Sequence, residues 1–415
     1  MRILYLNPCG QMGGAETSLR ELLASVRTAA PDWQLRPLLG EDGPMASRAR
    51  DLGIQVIVLP FPPALAQLGD AKRSRLATLF SLLRAAPATA SYSRRLREVI
   101  KSIDPDIIHT NGFKMHLMGA WTCPRQVPMV WHIHDYVGRR PVMSKLLRRC
   151  AKWCAAAIVN SESVASDLRP LTPDLKITPI YNAVDLERFT PIGTELDLDA
   201  LAGLSPAPAG TIRVGLVGTF ARWKGHKVFL QALSMLAPDS PIRGYVIGNA
   251  IYQTGGSQWS LQELRQEVSR LGLEGKVGFT GFLDDTAAAM RSLDVIVHAS
   301  TQAEPFGMVI IEGMACGKAV IASRGGGAEE IFEEGRDAVG HPPGDAQALA
   351  SLIQRLAADS ILRSALGTAG RAKVERLFNG SRLSQQVMAL YQTVITNKHF
   401  GPILSLRAAA SEHSD

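Results

Sequence analysis

Short runs of apolar residues alternate along the chain with stretches in which apolar positions recur at helical spacing. The runs are continuous rather than alternating with polar residues, which is typical of strands buried on both faces of a parallel sheet. In the first half, a glycine-rich turn at 10–14 and a predicted helix over 16–26 follow the first strand. The strands predicted for this half are 2–6, 55–59, 107–109, 129–133 and 156–159.

A second series of the same kind begins after a segment at 189–210 that is rich in proline, glycine and alanine. The weak periodicity of this segment is typical of a linker. Helical periodicity covers most of 360–396, and the small polar residues of 405–415 predict a frayed tail. The strands predicted for this half are 212–217, 245–247, 277–279, 295–297 and 319–321.

This organisation predicts an α/β protein with two doubly wound, Rossmann-like parallel-sheet domains that face a central cleft. We expect the first domain to cover 1–188 and the second to cover 211–379, on either side of the linker. Ligands bind outside the carboxyl ends of the strands in such sheets. The loops that follow the strands are therefore where functional side chains are expected.

The bulk properties are those of a soluble globular protein: 415 residues, of which 46% are hydrophobic and 20% are charged. No apolar run reaches the roughly 18 residues that span a bilayer. The first residues run directly into a strand pattern and do not resemble a secretory signal, so we expect a cytoplasmic location. The five cysteines include no C-x-x-C pair, which favours reduced thiols over a zinc site or a disulfide framework.

The formal net charge is +7, and much of the excess lies in three clusters in the first half of the chain. Such clusters indicate either a solvated basic face or contact with an anionic partner, such as nucleic acid, an acidic lipid surface or a phosphorylated substrate. The clusters are Lys72, Arg73 and Arg75; Arg94, Arg95, Arg97 and Lys101; and Arg139, Arg140, Lys145, Arg148, Arg149 and Lys152.

The most specific candidate site is the segment 300–315, which follows a predicted strand. Pro305 and Gly307 predict an irregular turn, and an apolar helix begins at about Val309. The start of a helix offers free N–H groups to a phosphate.

Two glutamates flank this helix start. Glu304 lies in the turn, and Glu312 lies one to two turns into the helix. A glutamate in so apolar a segment is costly to bury without a partner. Two carboxylates around an anion-binding helix start suit a polyhydroxylated, phosphorylated ligand, although two surface glutamates would give the same pattern.

Two other loops follow the first strand of each domain. The loop with Gly13 and Gly14 lets the backbone approach a phosphate, or is simply a tight turn. The loop with Arg222 and Lys224 can neutralise a diphosphate, or is a solvated basic turn. The G-x-G-x-x-G fingerprint is absent from the first loop, which argues against a nicotinamide-dependent oxidoreductase.

Histidines end two predicted strands of the first domain. His134 follows the strand 129–133, and His109 ends the strand 107–109. Side chains at these positions point towards the cleft, where His134 is either functional or a satisfied structural residue. No carboxylate spacing supports a two-histidine metal site.

With these residues placed, the sequence resembles glycosyltransferase family 4, a large retaining family with the GT-B fold, over nearly its whole length. The segment from Glu304 to Glu312 matches the E-x7-E motif of the family. The stretch 180–189 is similar to the I-x-N-G-V-D…F stretch of the family, with Ala183 where glycine is usual. The loop at 13–16 matches the N-terminal glycine-rich loop, and 325–329 and 343–345 match later landmarks.

The resemblance implies a role for each of these side chains. Glu304 would hold hydroxyls of the donor sugar, and Glu312 would hold the ribose hydroxyls. Lys224 would bind the donor diphosphate, and His134 would lie near the transferred sugar. A helix at about 380–398 would pack back on the first domain.

The family often has arginine at the position of Thr219, and Arg222 is expected to take its place. Phe282 and Leu283 fall where the family contacts the nucleobase. The donor-binding residues that the resemblance implies, besides Glu312, are Gly13, Gly14, Thr219, Phe282, Leu283, Gly307, Met308 and Val309.

We therefore predict a retaining glycosyltransferase, hexosyl or related, that uses a nucleotide sugar and needs no cofactor or metal. The predicted acceptor is a glycan, a lipid-linked saccharide or a polysaccharide, and the predicted process is cell-surface polysaccharide biosynthesis. The basic segments predict weak contact with the anionic inner face of a membrane. We expect no nucleic-acid partner. A sugar-nucleotide epimerase of the same fold is the alternative; a non-enzymatic binding protein is disfavoured because both glutamates and Lys224 are present.

Overall fold

The computed structural model describes residues 1–66, 75–250 and 256–398. They form two parallel β-sheets, one from each half of the chain. The first sheet has seven strands: β1 Arg2–Asn7, β2 Gln34–Leu39, β3 Ile57–Val58, β4 Ile107–Asn111, β5 Met129–Ile133, β6 Ala156–Val159 and β7 Ile177–Pro179. Their spatial order is β3-β2-β1-β4-β5-β6-β7. Successive strands are added on one side of β1 up to β3 and on the other side from β4 onwards, so the topological switch point lies between β1 and β4.

The second sheet repeats this design with six strands. They are β8 Ile212–Val217, β9 Ile242–Ile247, β10 Val277–Gly281, β11 Val295–His298, β12 Ala319–Ser323 and β13 Val339–His341. Their spatial order is β10-β9-β8-β11-β12-β13, which places the switch point between β8 and β11. The predicted fold class, two doubly wound parallel sheets, is confirmed.

Helices connect the strands in both halves. Those of the first half are α1 Gly14–Ala29, α2 Pro44–Asp51, α3 Pro63–Ala66, α4 Arg75–Ile103, α5 Phe113–Thr122, α6 Pro141–Cys150 and α7 Glu162–Leu168. Those of the second half are α8 Leu198–Ala202, α9 His226–Ser234, α10 Leu261–Arg270, α11 Thr286–Arg291, α12 Met308–Ala315, α13 Ala346–Ala358, α14 Ser360–Leu377 and α15 Gly380–Lys398.

Strand β1 shows why the strands are continuous apolar runs. Ile3 and Tyr5 belong to the core on one face of the sheet, which includes side chains of α1 and α15. Leu4 and Leu6 belong to the core on the other face, with side chains of α4 and α5. All four are fully buried, so each position of the strand needs an apolar side chain.

Every predicted strand exists, and the differences are local. The predicted strand 55–59 is reduced to Ile57–Val58. Three strands had no prediction: Gln34–Leu39, in which Arg36 and Pro37 interrupt the apolar run, and the three-residue strands β7 and β13.

The predicted linker contains helix α8. The Asp197 carboxylate caps its first turn by accepting a hydrogen bond from the Ala200 N–H (3.0 Å), and Gly203, at φ +67°, ends the helix. The neighbouring Asp199 is buried and accepts hydrogen bonds from Tyr245 (2.7 Å) and Arg243 (2.6 Å) of β9. This part of the linker is therefore packed on the second sheet.

The last helix, α15, packs against α1 of the first half. Its Leu383, Val387 and Tyr391 lie in the same core as Ile3 and Tyr5. None of the helices within the described ranges combines the length and apolarity that a membrane crossing requires. The predicted tail at 405–415, and Lys72 and Arg73 of the first basic cluster, lie outside the described residues.

Candidate active site

Loops at the carboxyl ends of the strands of both sheets meet in a cleft. The second sheet contributes the loop between β11 and α12, which contains the turn Pro305–Phe306–Gly307. Phe306 is buried in the core below the loop. Gly307 precedes α12 at φ +114°, a backbone conformation that favours glycine. The buried phenylalanine and the glycine together fix the direction in which α12 begins.

Glu304 is nearly buried at this loop and is fully engaged by neighbours. The Lys224 ammonium donates to both carboxylate oxygens, at 2.8 and 2.9 Å. The Ser300 hydroxyl donates to Oε2 at 2.8 Å, and His298 Nε2 lies 3.2 Å from the same oxygen. The resemblance implies that Glu304 binds sugar hydroxyls and that Lys224 binds the diphosphate. In the structure these two side chains are paired with each other.

The environment keeps Glu304 ionised. Burial alone would favour the protonated carboxyl, but the Lys224 charge and the hydrogen bond from His298 outweigh it, and the pKa of Glu304 is lowered well below its usual range. Glu304 is therefore a fixed negative charge with defined orientation.

Glu312 has the opposite environment. It borders a cavity of about 210 Å³ between the two halves of the chain. Burial raises the pKa of Glu312 to about 7; the charges of Arg188 and Lys224 oppose this shift and that of Glu21 adds to it. In the described part of the chain, its carboxylate has no hydrogen-bond donor comparable to Lys224. The side chains around the cavity include Arg20, Glu21, Arg48, Asp185, Arg188, Thr219, Phe282, Leu283, Asp284 and Met308.

Two of the arginines that border the cavity are already engaged. Arg188 donates to the Asp284 carbonyl at 2.8 Å and to the Thr286 hydroxyl at 3.3 Å. Arg20 pairs with Glu21 and with Asp185. Burial also raises the pKa of Glu21 to about 7, so two carboxyl groups of this cavity titrate near neutral pH.

His134 lies at the end of a buried chain of polar side chains. Its Nε2 is 2.5 Å from Asn111 Oδ1, and Asn111 Nδ2 donates to Asn7 Oδ1 at 2.6 Å. Asn7 in turn donates to the Cys9 carbonyl at 2.6 Å, which fixes the orientation of both amides. Because Asn111 Oδ1 can only accept, Nε2 must carry the ring proton, and Nδ1 is an unoccupied acceptor within the described residues.

The remaining predicted residues lie at three places. Gly13 precedes α1, and a Cβ on Gly14 would meet nothing within 4 Å, so the backbone at this helix start is open to a ligand. Thr219, Phe282, Leu283 and Met308 border the cavity. Val309 is in the first turn of α12.

Arg222 is directed elsewhere. Its guanidinium stacks on Trp259 at 3.7 Å and pairs with Glu263 of α10 at 3.1 Å. It does not border the cavity with Thr219. A role for Arg222 in diphosphate binding stays a prediction that requires it to leave both partners.

Several neighbours of the two glutamates could not be identified from the sequence. His298 and Ser300 lie four to six residues before Glu304, and their contact with it depends on the turn of the loop. Arg20 and Glu21 on α1 are in a segment predicted only as a helix. The one available signal was Arg188, which lies within the stretch 180–189 that resembles the family. Among the described residues, no three His, Cys, Asp or Glu side chains are grouped so that they could hold a metal ion.

Comparison with known proteins identifies the family. The model of glycosyl transferases group 1 matches residues 205–373, and the model of Glycosyltransferase Family 4 matches residues 45–188. A phosphatidyl-myo-inositol mannosyltransferase of Mycobacterium leprae is 36% identical over 339 residues, which cover 76% of this chain and 80% of that protein. The chain belongs to the group 1 glycosyltransferases of family 4.

Other similarities agree with this family and with the GT-B fold. A D-inositol 3-phosphate glycosyltransferase of Corynebacterium urealyticum is 29% identical over 252 residues, which are 59% of this glycosyltransferase and 58% of that protein, less than two thirds of its length. The crystal structure of Anabaena Alr3699/HepE in complex with UDP and glucose has 26% sequence identity and a TM-score of 0.76, and covers 95% of this chain and 100% of that one. The predicted family and fold are confirmed.

Proposed function

We propose that this glycosyltransferase moves a sugar, with retention of anomeric configuration, from a nucleotide-sugar donor to a glycan, lipid-linked saccharide or polysaccharide acceptor. We further propose that it acts in cell-surface polysaccharide biosynthesis without a metal ion. The main support is the arrangement of Glu304 and Glu312 on either side of the start of α12, one fixed by Lys224 and the other at the cavity between the domains.

The arrangement supports one orientation of the donor. Phe282 and Leu283 would contact the base, and Glu312 would accept hydrogen bonds from the ribose hydroxyls. The free N–H groups of Met308 and Val309 and the Lys224 ammonium would bind the diphosphate. A diphosphate that binds Lys224 competes with Glu304 for the ammonium, and so leaves carboxylate oxygens of Glu304 available to the sugar hydroxyls.

The chemistry is a substitution at the anomeric carbon. Its bond to the diphosphate oxygen breaks through an oxocarbenium-like state, and the acceptor oxygen forms the new bond on the same face. The proton of the acceptor hydroxyl passes to a diphosphate oxygen, and no oxidation or reduction occurs. Lys224 and the start of α12 would stabilise the charge that develops on the leaving group.

His134 is suited to bind an uncharged sugar. Burial lowers the pKa of its imidazole to about 4, so the ring is neutral at physiological pH. Its Nδ1 has no hydrogen-bond partner among the described residues and is shielded from solvent, so the proposed hydrogen bond from a sugar hydroxyl requires the imidazole to turn towards the cleft when the donor binds. We propose this contact as the reason why a histidine directly follows strand β5.

A donor screen tests the proposal. UDP-glucose, GDP-mannose and ADP-glucose are assayed for binding and slow hydrolysis, and UDP-glucose comes first because HepE was solved with UDP and glucose. Glu312→Ala should strongly reduce donor use with near-normal folding. Unchanged binding of every donor by the variant would exclude the Glu312 role. A changed sugar nucleotide without acceptor would favour the epimerase, and a rate abolished by EDTA would contradict metal-free transfer.

The basic helices of the first domain support contact with an anionic membrane surface. Helix α5 packs between α4 and α6. On α6, Arg148 and Arg149 are exposed, and so is Val142 about two turns earlier, at 65%. A surface that combines basic and apolar side chains suits a lipid headgroup layer, where a lipid-linked acceptor would be found.

Flotation with phosphatidylglycerol vesicles at low salt tests this contact. The unaltered protein should float, and Arg148→Glu with Arg149→Glu should reduce the bound fraction several-fold. Arg265→Glu with Arg355→Glu, on exposed faces of α10 and α13, removes the same charge and should have little effect. If the unaltered protein does not float with the vesicles, the proposed contact is excluded.

A further inference from the structure

The loop that contains Glu304 is bound from the first domain as well as from its own. Tyr136, which follows strand β5, donates its hydroxyl hydrogen to the Glu304 backbone carbonyl at 3.2 Å. Arg139 donates to the preceding carbonyl, that of Ala303, at 3.1 Å. Its guanidinium also lies 4.2 Å above the Tyr136 ring. Two side chains of the first domain thus hold two consecutive peptide groups of the second.

The contact is built closely on both sides. Tyr136 is almost fully buried, and its hydroxyl oxygen is 2.9 Å from the Ser163 hydroxyl. The carbonyl of Glu304 also accepts a hydrogen bond from the Gly327 N–H at 2.8 Å. A Cβ on Gly326, which has φ +70°, would overlap with both the Tyr136 hydroxyl and the Glu304 carbonyl oxygen. Only glycine at this position allows the two domains to approach so closely.

A second group of hydrogen bonds crosses the same interface without touching Glu304. The Glu330 carboxylate accepts hydrogen bonds from the backbone N–H groups of Glu162 (2.9 Å) and Ser163 (2.7 Å). The Tyr181 hydroxyl donates to the same carboxylate at 3.1 Å. These bonds hold the interface together, whereas those of Tyr136 and Arg139 end on the loop that presents the carboxylate.

We propose that Tyr136 and Arg139 are positioning residues that fix the Glu304 loop from the opposite domain, so that the sugar-binding carboxylate is correctly placed only when the domains are closed. This inference rests on the proposed role of Glu304. Neither side chain contacts the carboxylate itself, and both act through the backbone. Domain closure would therefore affect how the sugar end of the donor is held at Glu304. It would not affect how the nucleotide end is bound at Glu312.

The test separates positioning from general weakening of the interface. Tyr136→Phe removes one hydroxyl, and Tyr181→Phe is the matched control at the same interface. We expect Tyr136→Phe to lower the kcat of transfer about tenfold, as the loss of one well-placed hydrogen bond would do. The KM for the donor and the Kd for its nucleoside diphosphate should change less than twofold. Tyr181→Phe should retain wild-type kcat.

Arg139 provides the second arm. Arg139→Ala should lower kcat about threefold, and Arg139→Lys, which can still donate to the Ala303 carbonyl, should restore most of it. The assays use UDP-glucose with UDP, or GDP-mannose with GDP, whichever pair the unaltered protein binds. A wild-type kcat for Tyr136→Phe, or an equal decrease for Tyr136→Phe and Tyr181→Phe, would overturn the inference. If Glu304→Gln itself transfers normally, the proposed role of Glu304 is wrong and the inference falls with it.

Discussion

The two glutamates of one short segment have opposite electrostatic environments. Glu304 accepts from a lysine and a serine and contacts a histidine, and its pKa is lowered well below the usual range although burial acts in the other direction. Glu312 borders the cavity between the domains, and burial raises its pKa to about 7. The sequence pattern treats the two as equivalent, but the fold makes one a permanent charge and the other a group that titrates at neutral pH.

This difference fits what each carboxylate is proposed to bind. Glu304 would contact the sugar during transfer, where a fixed geometry and charge are needed before the substrate arrives. Glu312 would contact the ribose, and its desolvation is relieved only when hydroxyl groups enter the cavity. The first site is therefore preorganised, and the second is completed by the ligand.

The largest expected effect comes from breaking the preorganised site. Lys224→Met should reduce transfer by about 10² to 10³-fold, because it removes the cation proposed for the leaving group. It should also destabilise the protein by about 3 kcal/mol, because Glu304 would be left as a buried, unpaired charge. Thermal unfolding and initial rates measure the two effects.

The double variant Lys224→Met with Glu304→Gln sharpens this prediction. Removal of both charges should restore most of the stability while transfer stays lost. If the double variant is no more stable than Lys224→Met alone, the ion pair does not determine the stability of this loop.

Glu312→Gln tests the site that the ligand completes. Between pH 6 and 8 the ionised fraction of a carboxyl group with a pKa of about 7 rises from about a tenth to about nine tenths, so donor affinity should rise up to about tenfold in the unaltered protein. The glutamine variant should bind donor more weakly at pH 8 and show a flatter profile. Because Glu21 also titrates at about 7, Glu21→Gln is the control. Isothermal titration across this range measures the affinities, and a slope that survives Glu312→Gln would assign the titration to Glu21.

Whereas donor affinity should rise with pH, the contribution of Glu312 to the stability of the ligand-free protein should fall with pH. A carboxyl group whose pKa is raised on folding binds protons more tightly in the folded state, so it destabilises the protein increasingly as pH rises from about 4.5 to about 7. Glu312→Gln removes this effect and should raise the melting temperature at pH 8 by a few degrees, with little change at pH 5. An equal gain at both values would show that the carboxylate is not strained by burial.

The sequence predicts the parts of this comparison that depend on local pattern. Continuous apolar runs gave both sheets, and the spacing of Glu304 and Glu312 around a glycine turn gave the candidate site. The contacts that distinguish the two glutamates depend on distant residues: Lys224 is 80 positions from Glu304, and Tyr136 belongs to the other domain. No local periodicity encodes such pairs, because they arise only when loops of two sheets are brought to one cleft. The strand Gln34–Leu39 was not predicted because Pro37 interrupts its apolar run. Packing in the sheet nevertheless holds this segment as a strand, so here the local pattern was misleading.

A smaller effect is expected at His134, on the first-domain side of the cleft. His134→Ala should lower kcat about tenfold, because one hydrogen bond to the sugar is lost. Since the imidazole has a pKa of about 4, the kcat of the unaltered protein should show no ionisation of this residue between pH 5.5 and 8. A pH-rate step in that range that disappears in His134→Ala would contradict the neutral-histidine assignment.

The smallest expected effect concerns Arg222, which would have to leave its present partners to assist Lys224. Glu263 forms an ion pair with Arg222 at an exposed position, where solvent screens the attraction and the pair contributes little. Glu263→Gln should therefore remove one of the two partners that hold the guanidinium and strengthen donor binding by no more than about threefold, whereas Arg222→Ala should weaken it by a similar factor. Arg270→Gln, which removes a charge from the same helix without touching Arg222, is the control. Equal donor affinity in Arg222→Ala and the unaltered protein would show that Lys224 and the start of α12 bind the diphosphate without a second cation from this loop.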